Sequence, residues 1–334
     1  MKTLITGNEA VAKAALKSGL KFYSGYPITP ASEIMHSLSK EKSIKFVHTE
    51  DEIAAIIMAL GASLAGAKTM TATSGPGFSL MQEGIGLAYA AQIPIVIVDC
   101  QRVGPSTGMP TLASQGDVLQ SAYGTHGDTF PIVLAPNSVK ECYEITAKAF
   151  NAAEESMGPV MLLMDAFLSR LYESVDLDKI KVEVTQRKLK PLGTSKRHFT
   201  GLLSKDNIPC TTDSEYYREW LNRMKEKRDK AAANYELYEY IENNDSDTLL
   251  IAYGMTSRVI LPLKDKYSIF RPIRLFPVIE KLKDIARKYK KIIVVEMNNG
   301  QYSKEVERIL KREIEVLPQL GGKLSLKEIR QKIK

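Results

Sequence analysis

Three acidic residues, Glu50, Asp51 and Glu52, stand directly before an almost uninterrupted apolar stretch that runs from Ile53 to Ala67. Carboxylates in the first turn of a helix complement its dipole and accept hydrogen bonds from free backbone amides, so helix capping alone explains all three. A carboxylate at the mouth of a buried helix also has a raised pKa, which suits it to hold a proton beside a ligand. The stretch therefore predicts a buried helix and leaves two roles, cap or proton carrier, open for each acid.

Polar loops follow four of the predicted strands, where open α/β sheets bind their ligands. Small residues in each loop would let the backbone approach a ligand, and Arg102, the only cation of the last loop, suits a carboxylate. Capping by Thr29, turn formation by the Gly-Pro pairs and a surface ion pair of Arg102 are the alternative interpretations. Taken together, the four loops favour a ligand site; they are 25–33 (GYPITPASE), 48–52 (HTEDE), 73–79 (TSGPGFS) and 101–117 (QRVGPSTGMPTLASQGD).

Several well-known catalytic motifs are absent from the sequence. There is no G-x-G-x-x-G after a strand, no G-x-S-x-G and no H-E-x-x-H, and Ala67 separates Gly66 from Lys68 in the P-loop-like segment 61–69. The 4 histidines are scattered, and the 3 cysteines lie too far apart for a disulfide framework or a metal site. NAD enzymes, serine hydrolases and kinases are disfavoured, and the chain alone cannot ligate a four-cysteine iron–sulfur cluster.

The composition is that of an ordinary globular protein, with 44% hydrophobic and 25% charged residues among 334. Much of the net charge of +7 lies late in the chain, where it alternates with acids and apolar residues at helical spacing. This pattern indicates solvated helix faces, and no groove-reading motif supports a nucleic-acid partner. The start shows no secretion signal and no stretch is long enough to span a membrane, so a cytoplasmic location is expected.

Strands and helices alternate in the first half of the chain, which predicts a doubly wound parallel sheet. The apolar run at 93–100 is typical of a strand buried on both faces. In the helix over 29–40, Thr29 is predicted as the N-cap, Pro30 as the first helical residue and Glu33 as the partner in a capping box. The other predicted helices are 53–67, 8–19, 78–91 and 139–156, and the other strands are 20–27, 44–49, 68–75, 130–136 and 159–165; a turn is predicted at Gly75-Pro76-Gly77.

Residues 170 to about 228 lack clear periodicity, as expected of a connection between domains. A charged helix over about 214–243 leads from it into a second α/β unit. Strands are predicted there at 247–254 and 290–298, helices at about 256–263, 278–289 and 302–310, with the apolar segment FRPIRLFP at 270–277.

Segments 7–34, 50–86 and 101–117 resemble the α subunit of the 2-oxoacid:ferredoxin oxidoreductases, especially the 2-oxoglutarate branch. Residues 196–201 (KRHFTG), 270–277 and 292–301 (IIVVEMNNGQ) continue the resemblance in the same order. The resemblance implies a thiamine-pyrophosphate pyrimidine-type domain over 1–185. A linker and helical connection over 186–243 and a smaller transketolase C-terminal-like domain over 244–334 would follow it.

The resemblance also implies partners and cofactors. A β subunit would carry the pyrophosphate-binding domain, Mg²⁺ and a [4Fe-4S] cluster, so that thiamine pyrophosphate is shared between two chains, in a dimer of heterodimers. Coenzyme A would be a co-substrate and ferredoxin the electron acceptor. Any γ or δ component would be a separate subunit. The shortage of cysteines and the lack of a G-D-G…N motif agree with this division, and no metal, nucleic acid or membrane is expected for the α chain itself.

Residue roles follow from the same resemblance. Glu52 corresponds to the carboxylate that hydrogen-bonds N1′ of the thiamine aminopyrimidine, a contact that promotes the tautomer which accepts the thiazolium proton. Thr29 and Arg102 correspond to positions that receive the substrate carboxylate and ketone, and Ser106, Thr107 and Gly108 would line the same pocket. Tyr26, Pro27, Ile28, Gly75 and Pro76 would contact the cofactor, and Asn299 and Gln301 are weaker candidates.

The implied reaction is oxidative decarboxylation of a 2-oxoacid to its acyl-CoA, or the reverse carboxylation. The GPSTGMPT loop favours 2-oxoglutarate, whereas the GYPITP segment is shared with pyruvate and branched-chain relatives, and a single cation is few for a dicarboxylate. Two other interpretations are a lipoamide-linked E1-β-like subunit and a non-catalytic scaffold of the same fold.

Overall fold

The computed structural model describes residues 2–187, 189–194, 199–206 and 208–333. Lys196, Arg197 and His198, part of the KRHFTG segment, lie outside these residues. The strands are β1 (Thr3–Thr6), β2 (Phe22–Gly25), β3 (Lys45–His48), β4 (Thr69–Thr73), β5 (Ile95–Val103), β6 (Met109–Ala113), β7 (Val133–Leu134), β8 (Pro159–Asp165), β9 (Tyr172–Val175), β10 (Ser204–Lys205), β11 (Ile208–Pro209), β12 (Tyr238–Ile241), β13 (Thr248–Ile251), β14 (Ser268–Pro272), β15 (Arg274–Phe276), β16 (Lys291–Glu296) and β17 (Glu315–Pro318). The α-helices are α1 (Gly7–Lys17), α2 (Ser32–Ser39), α3 (Glu52–Leu64), α4 (Gly75–Leu80), α5 (Gln82–Ala90), α6 (Val118–Tyr123), α7 (Val139–Ser156), α8 (Ala166–Arg170), α9 (Ser214–Ala233), α10 (Gly254–Ile260), α11 (Lys281–Ala286), α12 (Gln301–Leu310) and α13 (Leu326–Lys332).

The larger sheet has the strand order β15-β7-β8-β5-β4-β2-β3, with β6 paired to the far end of β5. Its strands run parallel except where β15 meets β7 and β6 meets β5. Alternate residues of β5 point to opposite faces, so that Val96 and Val98 join one apolar cluster with α1 and α7. Ile95 and Ile97 join the other cluster, with α3 and α5. The doubly wound parallel sheet and its doubly buried strand are confirmed.

The second sheet has the order β12-β14-β13-β16-β17 and is parallel except at β12. Side chains beneath it, including Leu249 and Phe270, belong to the same apolar cluster as α3 and α5 of the larger sheet. The smaller α/β unit therefore packs on the larger one through a shared core. The fold class is that predicted from the sequence.

The predicted helix over 214–243 is wrong in its last third, because α9 ends at Ala233 and β12 follows it. Tyr238 and Tyr240 repeat at the two-residue spacing of a strand, and the Tyr238 ring stacks on Phe270 at 5.2 Å. The favourable helix propensity of the charged segment thus stops where aromatic residues can pair across strands.

The segment 270–277 is divided between two sheets. Its first residues end β14 of the second sheet, whereas Arg274–Phe276 forms β15 at the edge of the larger one. A single extended run of apolar residues does not show which sheet each part will join. The crossing ties the smaller unit to the larger sheet.

No helix in the described ranges is long and apolar enough to cross a bilayer. The apolar helix α3 has 13 residues and packs against the sheet. Ile53, Ile57 and Met58 on its other face are exposed, so the core accounts for only part of its apolar character.

Candidate active site

The loops predicted to bind a ligand do converge at one edge of the larger sheet. Strands β2, β3, β4 and β5 are parallel neighbours, so their carboxyl ends meet there. The segments that follow β2, β3 and β4 carry Thr29, Glu52 and Gly75, whereas Arg102 lies in the last residues of β5 itself. We call this edge the ligand edge and define it by Glu52, Thr73, Ser74, Asp99 and Arg102.

The three acids before α3 have separate positions. Asp51 is the N-cap, because its Oδ1 accepts a hydrogen bond from the Ala54 amide at 2.7 Å. Glu50 is exposed, whereas Glu52 is the first helical residue and only 5% exposed. Burial raises the pKa of the Glu52 carboxyl, Asp51 adds to the rise, and the helix amide and the Arg102 guanidinium oppose it. Glu52 is therefore the acid placed to hold a proton.

The Glu52 carboxyl lies against the first turn of α4, and a glycine makes that approach possible. A Cβ atom at Gly77 would stand 2.3 Å from Glu52 Oε1 and 2.2 Å from Thr73 Oγ1, both far inside van der Waals contact. The predicted turn at Gly75-Pro76-Gly77 is wrong, because these residues form the first turn of α4. Proline near a helix start has the φ angle that the helix requires and no amide to leave unpaired.

Thr29 does not cap a helix, so the predicted capping box is wrong. Helix α2 begins at Ser32 after Ala31, with no side-chain cap, and Glu33 instead accepts a hydrogen bond from Asn8 Nδ2 at 3.2 Å. The Thr29–Pro30 peptide bond that precedes the helix is cis. Thr29 is left exposed at the ligand edge.

Arg102 is buried behind that segment, with 6% of its surface exposed. Its Nη1 donates to the Thr29 carbonyl oxygen at 2.7 Å, while its Nε has no partner in the described residues. Burial lowers the pKa of Arg102, and Asp117, Asp99 and Glu52 oppose the shift. Thus Arg102 connects two of the predicted loops and keeps donor capacity for a ligand.

The loop after Arg102 makes a tight turn. Ser106 and Gly108 both have positive φ, and a Cβ at Gly108 would lie 2.2 Å from the Val103 carbonyl oxygen. Glycine is therefore required at 108 by the turn itself. Ser106, Thr107 and Gly108 are all exposed.

A cavity of about 830 Å³ opens beside these groups, and we call it the central cavity. Arg102 and Ser106 line it from the larger sheet, and Asn298, Asn299 and Gln301 line it from the segment that follows β16. Gly75 and Pro76 also line it, whereas Tyr26, Pro27, Ile28, Thr29, Glu52, Thr107 and Gly108 are not among its lining residues. The structure thus places the predicted site residues at one edge but only some of them on this cavity.

Sequence reasoning missed Asp99 and Asp117. Asp99 is fully buried in the middle of β5, and Asp117 lines the central cavity just before α6. Burial raises the pKa of Asp117 to about 6 and that of Asp99 well above its usual range, with each carboxyl in reach of the other. An aspartate that interrupts an apolar strand, as Asp99 does in IPIVIVDC, was the signal available in the sequence.

Sequence reasoning also missed Gln115, which fastens the loop before α6 to the second sheet. Its side-chain oxygen accepts from the Thr256 hydroxyl and from the Met297 amide, each at 3.0 Å, and its Nε2 donates to the Tyr253 carbonyl at 2.9 Å. Asn298 Nδ2 donates to the Gln115 carbonyl at 2.6 Å. We call this contact the seam and define it by Gln115, Tyr253, Thr256, Met297 and Asn298.

The weaker candidates Asn299 and Gln301 differ in their surroundings. Gln301 Oε1 accepts from the Leu119 amide at 3.0 Å and its Nε2 donates to the Gly116 carbonyl, so its side chain holds the start of α6. Asn299 is exposed at the cavity. Of the two, Asn299 has the position of a ligand contact.

Comparison with known proteins identifies the family. A family model described as "Pyruvate flavodoxin/ferredoxin oxidoreductase, thiamine diP-bdg" matches residues 13–243. The chain belongs to the 2-oxoacid:ferredoxin oxidoreductase family. This confirms the resemblance found in the sequence and makes the chain a subunit of a thiamine-dependent oxidoreductase.

Relatives within the family match along almost the full chain. The 2-oxoglutarate synthase subunit KorA of Archaeoglobus fulgidus is 42% identical, over 92% of this chain and 91% of its own. KorA of Methanocaldococcus jannaschii is 39% identical, over 95% of each chain. The ketoisovalerate oxidoreductase subunit VorB of Methanothermobacter marburgensis is 36% identical, over 99% of this chain and 97% of its own.

Solved structures agree with the fold. A 2-oxoglutarate:ferredoxin oxidoreductase from Magnetococcus marinus, with 2-oxoglutarate, coenzyme A and succinyl-CoA bound, superposes with a TM-score of 0.91 at 29% identity. The match covers 99% of this chain but only 64% of that longer one. A split-gene transketolase, an inactive β4 tetramer, matches with a TM-score of 0.59 at 14% identity over 98% of this chain and 93% of its own, which supports the fold alone.

Proposed function

We propose that this chain is the α subunit of a CoA-dependent 2-oxoglutarate:ferredoxin oxidoreductase. The reaction converts 2-oxoglutarate and coenzyme A into succinyl-CoA and CO₂ and passes two electrons, one at a time, to ferredoxin; it is reversible. The observation that carries the proposal is the buried Glu52 carboxyl at a sheet edge that Arg102 also reaches. The relatedness to KorA subunits at up to 42% identity supports the choice of substrate.

Residues at the ligand edge fit a thiamine aminopyrimidine. Glu52 is buried against a glycine where any side chain would displace it, and the neighbouring hydroxyls of Thr73 and Ser74 are buried without a partner in the described residues. Buried polar atoms of this kind require a partner, which a heteroaromatic ring with amino and ring nitrogens would supply. When bound, thiamine pyrophosphate supplies a carbon nucleophile that also accepts electrons from the decarboxylated substrate.

Glu52 would hold the proton at N1′ of that ring, because burial raises the pKa of its carboxyl and so favours the protonated form that a shared proton requires. Gly75 and Pro76 would lie against the ring from α4, and Tyr26, Pro27 and Ile28 would border it from the loop after β2. The half-buried Pro27 and Ile28 offer an apolar surface of the kind that excludes water from the reacting carbon.

Arg102 would receive the carboxylate next to the ketone. Its planar guanidinium presents several donors, of which Nη1 is used by the Thr29 carbonyl, and the buried surroundings strengthen a charge-assisted hydrogen bond. Thr29, Ser106, Thr107 and Gly108 would surround the rest of the substrate, and the central cavity has room for an acyl chain.

A partner β subunit would complete the enzyme by carrying the pyrophosphate site, Mg²⁺ and a [4Fe-4S] cluster. Within the described residues no group of three or more His, Cys, Asp or Glu side chains is arranged to hold a metal ion. The shared cofactor would then lie between two chains, in a dimer of heterodimers that works with ferredoxin in the cytoplasm.

The test is co-purification of the tagged chain with its untagged partners, followed by viologen reduction with coenzyme A and one 2-oxoacid at a time. We expect 2-oxoglutarate to be used with a kcat/KM at least about tenfold above that of pyruvate or 2-oxoisovalerate. Reactions without coenzyme A or without added thiamine pyrophosphate serve as controls. Turnover of none of the three acids would contradict the proposal.

A branched-chain or pyruvate enzyme is the second candidate. The VorB relative matches 99% of this chain, and among the described residues that line the central cavity Arg102 is the only cationic one. A dicarboxylate needs a second positive group, which a β subunit would have to supply. Preference for 2-oxoisovalerate in the same assay would establish this candidate.

A further inference from the structure

Asp99 and Asp117 form a buried pair of carboxyl groups behind the ligand edge, and the proposed reaction as described above gives neither a role. Asp99 is 0% exposed, and Asp117 lies directly before α6 at the wall of the central cavity. Both oxygens of Asp99 and Oδ2 of Asp117 lack a hydrogen-bond donor among the described residues. Each carboxyl nevertheless lies in hydrogen-bonding reach of the other.

Two buried carboxylates that face each other cannot both be ionised without a large cost, because burial disfavours both charges and the Gly75 amide and Arg102 offset only part of this cost. One proton between them removes this cost, since the protonated oxygen donates to its neighbour. A single shared proton would also give the unpartnered oxygens a partner. The pair then carries one negative charge in total.

That charge faces Arg102. The groups that act on the guanidinium are Asp99 from β5, Asp117 from the start of α6 and Glu52 from α3, and the amide of Gly75 faces Asp99 from α4. Arg102 is nine-tenths buried and its Nε is unpartnered in the described chain. No carboxyl among the described residues lies within ion-pairing distance of it, so Asp117, Asp99 and Glu52 act on its charge at longer range. Burial raises the pKa of Glu52 as well, which weakens its share of this compensation.

We propose that Asp99 and Asp117 share one proton near neutral pH and act as positioning residues, holding the Arg102 guanidinium at the ligand edge for the substrate carboxylate. The role assigned to Arg102 rests on the proposed function; the shared proton does not. A pair with one proton holds Arg102 by its charge, whereas a doubly protonated pair is neutral and holds it less firmly.

The pH dependence follows from this arrangement. The pair becomes neutral as the pH falls through about 6, the pKa of Asp117. The KM for the 2-oxoacid should therefore rise below pH 6, while kcat follows the protonation of Glu52 and changes separately. Asp117→Asn or Asp99→Asn leaves one carboxylate that accepts a hydrogen bond from the new amide, so each single variant retains the charge of the one-proton state.

The kinetic experiment uses the purified α–β complex between pH 5 and 8. Each single variant should raise the KM less than the double variant does at pH 7.5, because one carboxyl group remains. The double variant Asp99→Asn/Asp117→Asn has no charge at any pH, and its KM should be roughly tenfold higher than that of wild type and independent of pH. A double variant whose KM has the wild-type value and pH profile would overturn the positioning role.

Thermal unfolding of the same complexes tests the shared proton without substrate. Raised pKa values in the folded state mean that the wild type binds more protons folded than unfolded, so its stability falls as the pH rises from about 4 toward 6. The stability of Asp117→Asn should decrease less with rising pH, because the variant lacks one of the two carboxyls. The difference between its Tm and that of wild type should therefore increase with pH up to about 6. A difference that is constant with pH would overturn the shared proton.

Glu154→Gln is the matched control. Glu154 is a buried carboxyl whose pKa is also raised by burial, but its partner is Arg187, at 2.6 Å, away from the ligand edge. Its substitution should lower Tm while the pH profile of KM keeps the wild-type form. If the complex turns over none of the 2-oxoacids, the proposed function is wrong and the kinetic comparison cannot be made. The unfolding experiment then still tests whether Asp99 and Asp117 share a proton.

Discussion

The ligand edge and the seam are neighbours, but they differ in whether their buried polar atoms have hydrogen-bond partners. At the edge, Thr73 Oγ1, Ser74 Oγ and Arg102 Nε have no hydrogen-bond partner in the described residues. At the seam, the Gln115 side chain makes three hydrogen bonds of 2.9–3.0 Å and its backbone makes two more, with Met297 and Asn298. Both regions are built from residues that are almost fully buried.

This difference separates binding from structure. A buried polar atom without a partner lowers the stability of the fold by about 1–3 kcal/mol, so we expect such an atom where a ligand supplies the missing hydrogen bond. At the seam, the chain itself supplies every partner of the Gln115 side chain, and these hydrogen bonds fix the position of the loop that carries Asp117. The edge is therefore prepared for a ligand, and the seam holds one of its walls in place.

Glu52→Gln should have the largest effect at the edge. Glutamine has the same shape but cannot give or take the proton, so kcat of the reconstituted complex should fall by about 10²–10⁴-fold. The measurement is 2-oxoacid-dependent viologen reduction, with circular dichroism as a check of the fold. Glu50→Gln, at an exposed neighbour in the same loop, should keep wild-type activity. An unchanged rate for Glu52→Gln would mean that Glu52 only begins the helix.

Gln115→Ala should have the largest effect at the seam, and we expect it to lower the free energy of unfolding and not the rate of the reaction. It leaves the Tyr253 carbonyl, the Thr256 hydroxyl and the Met297 amide without their partner, for a loss of about 3 kcal/mol in the free energy of unfolding. Urea unfolding followed by far-UV circular dichroism measures it. Gln331→Ala, on the exposed side of α13, should change stability by less than about 0.5 kcal/mol. A stable Gln115→Ala variant with impaired turnover would place Gln115 in the reaction and remove the contrast.

The edge was largely predictable from sequence, because it depends on local order. Each strand is followed by its own polar loop, and parallel neighbours bring successive loops together, so Thr29, Glu52, Gly75 and Arg102 could be placed at one edge without coordinates. The individual roles of Glu50, Asp51 and Glu52 depend on burial. Helical spacing alone did not separate them; the resemblance to a family did.

The seam was not predictable in the same way, because Gln115 meets Tyr253 and Met297 across more than a hundred residues of chain. Nothing in the local sequence ASQGD indicates a side chain with partners in another sheet. Thr29 shows the reverse failure: its sequence has a good capping signal, but its carbonyl oxygen accepts a hydrogen bond from the distant Arg102, and α2 begins only at Ser32. Long-range contacts override local preference in both cases.

Gly77→Ala tests the edge from the opposite direction, by adding an atom. The new Cβ would overlap Glu52 Oε1 and Thr73 Oγ1, and the flexible carboxylate is the group that can yield. A displacement of about 1 Å at a reacting group can lower turnover by about 10²-fold, so kcat should fall while the unfolding free energy changes little.

Gly61→Ala in α3 is the matched control, because no atom lies within 4 Å of its Cβ position. It should raise stability by about 0.5–1 kcal/mol and leave kcat unchanged. Equal behaviour of the two alanines would show that the Glu52 carboxyl is not confined by Gly77.

Arg102→Lys should give the smallest of these effects and tests which part of the edge meets the substrate. Lysine keeps the positive charge but loses the planar fork, so it cannot serve both the Thr29 carbonyl and a carboxylate in the same geometry. The KM for the 2-oxoacid should rise about tenfold, with a smaller change in kcat, because the lost contact is made equally in the ground state and the transition state. Arg287→Lys, at a largely exposed arginine paired only with Asp284 among the described contacts, should leave both constants unchanged. If Arg102→Lys instead lowered kcat at constant KM, the guanidinium would act on the reacting centre, and another group would have to bind the carboxylate.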